Sequence, residues 1–163
     1  MPLIALEDLA RRMALLREER KRIVFTNGCF DVIHPGHVAL LEKAASLGDV
    51  LVVAVNDDES VRRLKGEERP IMPASERAEI LLAMRWVDYV TVFPDDTPGA
   101  VIELVRPDVL AKGAEYEKGD IVGAEFVEGY GGEVVRIDMK PGYSSRNIIS
   151  RIRAGKSARD ADR

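Results

Sequence analysis

The chain has 163 residues, 46% hydrophobic and 32% charged, with a formal net charge of −4. A chain of this length buries roughly 70% of its unfolded surface as one globular domain, so a single domain over 1–163 is expected, and the acidic balance argues against a nucleic-acid partner. One cysteine, Cys29, excludes an internal disulfide, and no apolar run reaches the roughly 20 residues that cross a bilayer. With no signal-peptide pattern at the amino terminus, the expected setting is the cytoplasm, without a membrane partner.

Apolar Leu6, Leu9, Met13 and Leu16 at helical spacing predict a helix over 3–20. Short β-branched runs then predict strands at Ile23–Thr26, Val50–Val55, Tyr89–Phe93, Val109–Ala111 and Val134–Ile137. Helices are predicted between them at Gly36–Leu47, Ser75–Trp86, Pro98–Val105 and Val122–Gly129, with a last one at Ser145–Ile152. Ser75 reads as an N-cap, Thr97 as a cap followed by Pro98 at the first helical position, and Gly48 as the close of the first crossover helix. The polar, proline-bearing segment Lys65–Pro73 reads as a mobile surface loop, and the charged end, 153–163, as a frayed tail. Strands alternating with helices predict an α/β fold: a single doubly wound, largely parallel sheet with right-handed crossovers. Ligands of such sheets bind beyond the carboxyl ends of the strands.

Both histidines of the chain lie in one tetrapeptide, His34-Pro35-Gly36-His37, after the first core strand and its loop. Pro35 suits a first helical turn, and Gly36 lets backbone and ligand approach closely. Histidines three apart at a helix start lie on nearly the same side. The free amides and positive dipole end there suit phosphate oxygens. Two other readings stay open on the loop alone: a capped helix with two surface histidines, or a pair of metal ligands, although only Asp31 is near enough to extend a metal set.

The run Thr26-Asn27-Gly28-Cys29-Phe30-Asp31-Val32-Ile33-His34-Pro35-Gly36-His37 resembles the signature of the cytidylyltransferase-like nucleotidyltransferases. More narrowly, the chain resembles the bacterial D-glycero-β-D-manno-heptose-1-phosphate adenylyltransferases. That match continues through Leu47-Gly48-Asp49, Val55-Asn56, Ser60 to Gly66, Arg69-Pro70, Asp96-Thr97-Pro98, Arg106 to Gly113, Ile121 to Ala124 and Gly131-Gly132, covering most of residues 22–152. The resemblance implies a Rossmann-like nucleotidyltransferase fold, transfer of AMP from ATP to a sugar 1-phosphate with release of pyrophosphate, and a homodimer. The attacking phosphate oxygen is already ionised near neutral pH, so no general base is needed, and catalysis reduces to positioning and charge neutralisation at the α-phosphorus. It also implies that His34 and His37 contact the triphosphate, with Mg²⁺ held mainly on phosphate oxygens rather than by protein ligands.

Other residues carry over with their positions. Lys65 is expected to neutralise phosphate charge, Arg77 to face the nucleotide, and Lys112 and Gly113 to contact ligand at a strand end. Tyr143, Ser144, Ser145 and Arg146 open the last helix, where hydroxyls and free amides suit the β- and γ-phosphates; Ser144 equally suits plain capping. Thr26, Asn27, Gly28, Cys29, Phe30 and Gly36 complete the expected nucleotide loop. Two departures from the family pattern stand out. Ser144-Ser145-Arg146 replaces Ser-Thr-Thr, and Ala114-Glu115-Tyr116 stands where Gly-Asp-Tyr or Gly-Asp-Trp is usual, so Glu115 bears on how base, ribose or sugar is held.

Two other nucleotide motifs fail. Gly155-Lys156-Ser157 lacks the upstream glycine of a Walker A loop, which would fall at Ser150, and no Gly-x-Gly-x-x-Gly follows a strand. Cys29 has no role as a nucleophile in a direct displacement. The competing functions are a cytidylyltransferase for glycerol 3-phosphate or a similar phospho-alcohol, which shares the histidine loop, and a nucleotide-binding module without turnover.

Overall fold

A computed structural model describes residues 3–156. Five strands form one parallel sheet: β1 (Ile23–Gly28), β2 (Val50–Asn56), β3 (Tyr89–Phe93), β4 (Val109–Gly113) and β5 (Glu133–Ile137), in the order β3-β2-β1-β4-β5. The central strand, β1, pairs with β2 from Ile23 opposite Val50 to Gly28 opposite Val55, and with β4 through Val24 and Phe25. The order reverses at β1, so the crevice of a doubly wound sheet opens at its carboxyl end. The loop carrying the histidines begins there.

Seven α-helices are described: α1 (Leu6–Glu18), α2 (Pro35–Ala45), α3 (Asp58–Lys65), α4 (Ala74–Leu82), α5 (Gly99–Val105), α6 (Ala124–Gly129) and α7 (Ser145–Arg153). Alternate residues of the inner strands feed two apolar clusters. Ile23, Phe25, Val52 and Ala54 pack with Leu9, Met13 and Leu16 of α1 and Val101, Ile102 and Val105 of α5. Val24, Leu51, Val53 and Val55 pack with Leu40, Leu41 and Ala44 of α2 and Ala78 and Leu81 of α4. Both faces are covered, which is why the inner strands read as unbroken apolar runs rather than as alternation.

Several local expectations change. Helix α3 falls where none was predicted, although Asp57 caps it by accepting from the Ser60 amide at 2.7 Å. Only Ser60 and Val61 are buried, so its apolar stripe is too short to register as a period. Ser75 is not the N-cap of α4; Pro73 holds that position and makes no side-chain cap, while the Ala74 amide is met by the Asp58 carboxylate at 2.8 Å. Pro98 occupies the N-cap position of α5 rather than its first turn. Helix α2 ends at Ser46 in ordinary helical geometry, so Gly48 is no helix terminator. It is small for packing: a Cβ there would lie 2.7 Å from the Arg22 carbonyl oxygen and 2.7 Å from a Val24 methyl.

The Lys65–Pro73 segment is not a free loop. The buried Asp31 carboxylate accepts from Arg69 Nε at 2.6 Å, from the Ile71 amide at 2.8 Å and from the Met72 amide at 3.0 Å. At the other end, α7 runs to Arg153; the rest of the expected tail from 157 on, including Ser157, lies outside the described residues.

Candidate active site

A cavity of about 670 Å³ opens at the carboxyl ends of β1 and β4. Thr26, Asn27, Gly28, Cys29 and Phe30 form its floor, His34 and His37 one wall. Lys65, at the end of α3, and Lys112, Gly113 and Glu115, at the end of β4, face it from other sides. Tyr143, Ser144, Ser145 and Arg146 complete it from the start of α7. The fold therefore gathers residues from 26 to 146 around one space.

The backbone at the start of α2 fixes the imidazoles. The Gly36 amide donates to His34 Nδ1 at 3.1 Å, and the His34 amide to His37 Nδ1 at 3.4 Å. A neutral imidazole that accepts at Nδ1 carries its proton on Nε2. Each ring thus keeps one N–H for a ligand. The rings stack with centroids 3.8 Å apart and planes 28° from parallel. Burial lowers the pKa of both; His37, which also faces His34, falls to about 4. Near neutral pH the pair is a set of two uncharged donors.

Gly36 does not line the cavity. It lies beneath the His34 ring, where a Cβ would come within 2.9 Å of two ring atoms. Its role is to let the amide reach the imidazole, so the expected direct contact with nucleotide is corrected to an indirect one. Phe30 and Val32 of the same loop take φ angles of 48° and 59°, uncommon for residues with side chains. Phe30 is buried and packs on His37 with centroids 5.3 Å apart.

Positive charge comes from the other walls. Burial pulls the Lys112 ammonium down to about 8, against the opposing pull of Glu115 and Cys29. Its Nζ donates to the Asn27 carbonyl at 3.4 Å and lies 5.4 Å from the Tyr116 ring centre. The Glu115 carboxylate folds back over Gly113, within 2.0 Å of where a Cβ on that glycine would sit. Lys65 and Arg146 are exposed at the rim, and Arg69 lines the cavity as well. In the floor, Thr26 Oγ1 and Asn27 Oδ1 are buried without a hydrogen-bond partner. Ser144 caps α7 by accepting from the Asn147 amide at 3.1 Å, which leaves its O–H to donate elsewhere. Ser145 donates to the carbonyls of Asp31 and Val32.

Arg77 is the clear correction. It was expected to face the nucleotide, yet it is 0% exposed and does not line the cavity. Its fork donates to the carbonyls of Met72, Cys29 and Asn56 and to the Asp58 carboxylate at 2.7 Å. The Cys29 and Asn56 carbonyls lie where β1 and β2 release their chains, and that of Met72 just before α4, so the guanidinium satisfies backbone that the sheet leaves unpaired. Two residues were missed. In the sequence Arg69 has no role and Asp31 only a place beside a possible metal pair, and a lone acid in an otherwise apolar loop is the available signal.

Burial pushes the Asp31 carboxyl up, but the Ile71 amide, Arg69 and the Met72 amide together hold it below its ordinary value. Among the described residues, no three His, Cys, Asp or Glu side chains are grouped to hold a metal ion. Of the carboxylates lining the cavity, Asp31 is committed to Arg69 and Asp96 to Arg63, while Glu115 and Asp120 make no ion pair among the described residues. This donor set fits a divalent cation that arrives on a ligand's phosphates, with few protein oxygens to complete its shell. No described helix is long and apolar enough to cross a membrane.

Known proteins share both sequence and fold. The family model described as cytidylyltransferase-like matches residues 25–151. The bifunctional protein HldE of Geobacter sulfurreducens is 51% identical over 147 residues, which are 90% of this chain and 30% of that protein. The bifunctional protein HldE of Syntrophotalea carbinolica is 50% identical over 146 residues, again 90% of this chain and 30% of the relative. The chain thus spans under a third of the length of these relatives. Among solved structures, the lipopolysaccharide core biosynthesis protein from Thermoplasma volcanium superposes with a TM-score of 0.63 at 25% identity, over 74% of this chain and 98% of that one. Pantothenate synthetase from Thermus thermophilus, at 18% identity, shares the fold alone, with a TM-score of 0.65 over 99% of this chain and 79% of that one. Because the family match runs from β1 into α7 and takes in every wall of the cavity, the chain belongs to the cytidylyltransferase-like family of nucleotidyltransferases.

Proposed function

We propose that this chain transfers AMP from ATP to D-glycero-β-D-manno-heptose 1-phosphate, giving ADP-heptose and pyrophosphate. A phosphate oxygen of the sugar attacks the α-phosphorus, and the bond from that phosphorus to the bridging oxygen of the β-phosphate breaks. Pyrophosphate leaves with the electron pair. The observation that carries this reading is the pair of neutral Nε2–H donors at the start of α2, facing a cavity whose other walls hold Lys65, Lys112 and Arg146.

In this reading His34 and His37 donate to oxygens on the α-phosphate and the leaving group, where charge grows in the transition state. Lys65, Lys112 and Arg146 offset the charge of the triphosphate. The unpartnered oxygens of Thr26 and Asn27 accept from ligand hydroxyl or amino groups. Magnesium arriving with ATP would supply further neutralisation on the phosphates, and Glu115 or Asp120 would be the carboxylates to hold it. The roughly 50% identity to proteins named HldE favours this acceptor, and a shared span of 30% of their length suits one of the two functions that the word bifunctional implies. A kinase activity would then supply the sugar 1-phosphate.

The test is incubation with each nucleoside triphosphate and each acceptor, followed by pyrophosphate detection. Release from ATP with heptose 1-phosphate is expected. Release only from CTP with glycerol 3-phosphate would overturn the reading in favour of a cytidylyltransferase. Calorimetric ATP binding with no pyrophosphate from any acceptor would favour a binding module.

A further inference from the structure

Three walls of the cavity meet at one buried residue whose side chain offers no free group to ligand. The Asp31 side chain is 0% exposed and sits in the loop between β1 and the histidines. Its carboxylate holds the segment after Lys65 through Arg69 Nε at 2.6 Å, the Ile71 amide at 2.8 Å and the Met72 amide at 3.0 Å. Its own carbonyl accepts from Ser145 in the first turn of α7. The two outer walls are also joined to each other, since Glu68 pairs with Arg153 at the far end of α7. Helix α7 buries none of its residues fully, so packing alone does not fix its start.

We propose that Asp31 is a positioning residue for the triphosphate: it latches the Lys65-bearing segment and the start of α7 to the histidine loop, so that Lys65 and Arg146 face the space in front of His34 and His37. This rests on the proposed function for the nature of the ligand, and goes beyond it in assigning the assembly of the site to one residue, whose carboxylate holds the Lys65-bearing segment and whose backbone carbonyl holds the start of α7. The charge of Arg69 is neutralised within the latch, which leaves Lys65, Lys112 and Arg146 as the cavity-lining cations available to ligand among the described residues. Each latched wall is polar and rim-exposed, so without the latch it would have to be ordered anew on each binding event.

ATP binding by calorimetry tests this, because it needs no acceptor. Asp31→Asn removes the partner charge of Arg69 and is expected to raise the Kd for ATP at least tenfold. In protein already carrying Lys65→Ala and Arg146→Ala, the same change is expected to cost less than threefold, because the groups that Asp31 positions are gone. An equal loss in both backgrounds, or an unchanged Kd in the single variant, overturns the proposal. Should Asp31→Asn fail to fold, Ile71→Pro removes one amide donor from an exposed position and is expected to raise the Kd at least threefold; an unchanged Kd overturns it. If the unmodified chain does not bind ATP, the proposed function fails instead. The latch is then read from hydrogen exchange at the Met72 amide, expected to be protected in the unmodified chain and to lose that protection in Ile71→Pro; unchanged protection counts against it.

Discussion

Arg77→Met exchanges the buried guanidinium for an apolar chain of similar length, and its expected effect is on stability rather than on ligand contact. The substitution strands the carbonyls of Cys29, Asn56 and Met72 and leaves the Asp58 carboxylate without its cation. Removing one partner of a buried ion pair costs about 3–5 kcal/mol, and the loss of three further donors places this site at the upper end. For a chain of this length each kcal/mol corresponds to roughly 2–4 °C, so that upper end gives a fall in Tm of about 10–20 °C. Asp58 limits the loss, because its carboxylate is partly exposed and also accepts from the Ala74 amide. Arg77→Lys keeps the charge but lacks the fork, and should fall between the two. Thermal unfolding gives the shift, and calorimetry with ATP well below the lowered Tm gives the affinity. A Tm within 3 °C of the unmodified chain, together with a selective loss of ATP binding, would refute the scaffold reasoning and return Arg77 to the ligand.

His37 links stability to acid. Its pKa is about 4 when folded and about 6.5 when unfolded, so the unfolded state takes up a proton that the folded state refuses. That contribution is complete above pH 6.5 and is lost as pH falls towards 4, by at most about 3 kcal/mol. Urea unfolding at pH 7 and pH 4.5 should show a smaller acid loss in His37→Asn than in the unmodified chain; equal losses would count against it. Arg146→Ala should raise the KM for ATP several-fold with little change in Tm, since the side chain is exposed at the rim; an unchanged KM removes Arg146 from the phosphate site.

The central loop was legible in the sequence because its signals are local. An apolar run, then Gly28 and a Pro-Gly-His helix start, describe a strand, a turn and an amide-rich terminus within fifteen residues or so. Lys112-Gly113 and Ser144-Ser145, which line the cavity, are legible because the first pair closes a strand and the second opens a helix. Arg77 could not be placed, because what decides its direction is two carbonyls 48 and 21 residues away in sequence. Asp31 escaped for the same reason, with Arg69 38 residues distant. The resemblance gave Arg77 a direction towards the nucleotide, and burial reverses it. Helix α3 is different, since Asp57, its acidic first turn and Gly66 were all readable, and only its short apolar stripe hid it.

The two amides that hold Nδ1 of His34 and His37 also bear on the metal-ligand reading of the same tetrapeptide. A transition metal binds an imidazole through a nitrogen lone pair. Here one lone pair per ring is occupied by a backbone N–H, and the other nitrogen carries a hydrogen. Coordination at Nε2 would move the proton to Nδ1, set it against the Gly36 or His34 amide and disrupt the first turn of α2. A pair of histidines at ligand spacing is thereby made a poor trap for adventitious zinc or nickel. On the proposed function, donors that serve phosphate are thereby kept from metal by the helix that presents them.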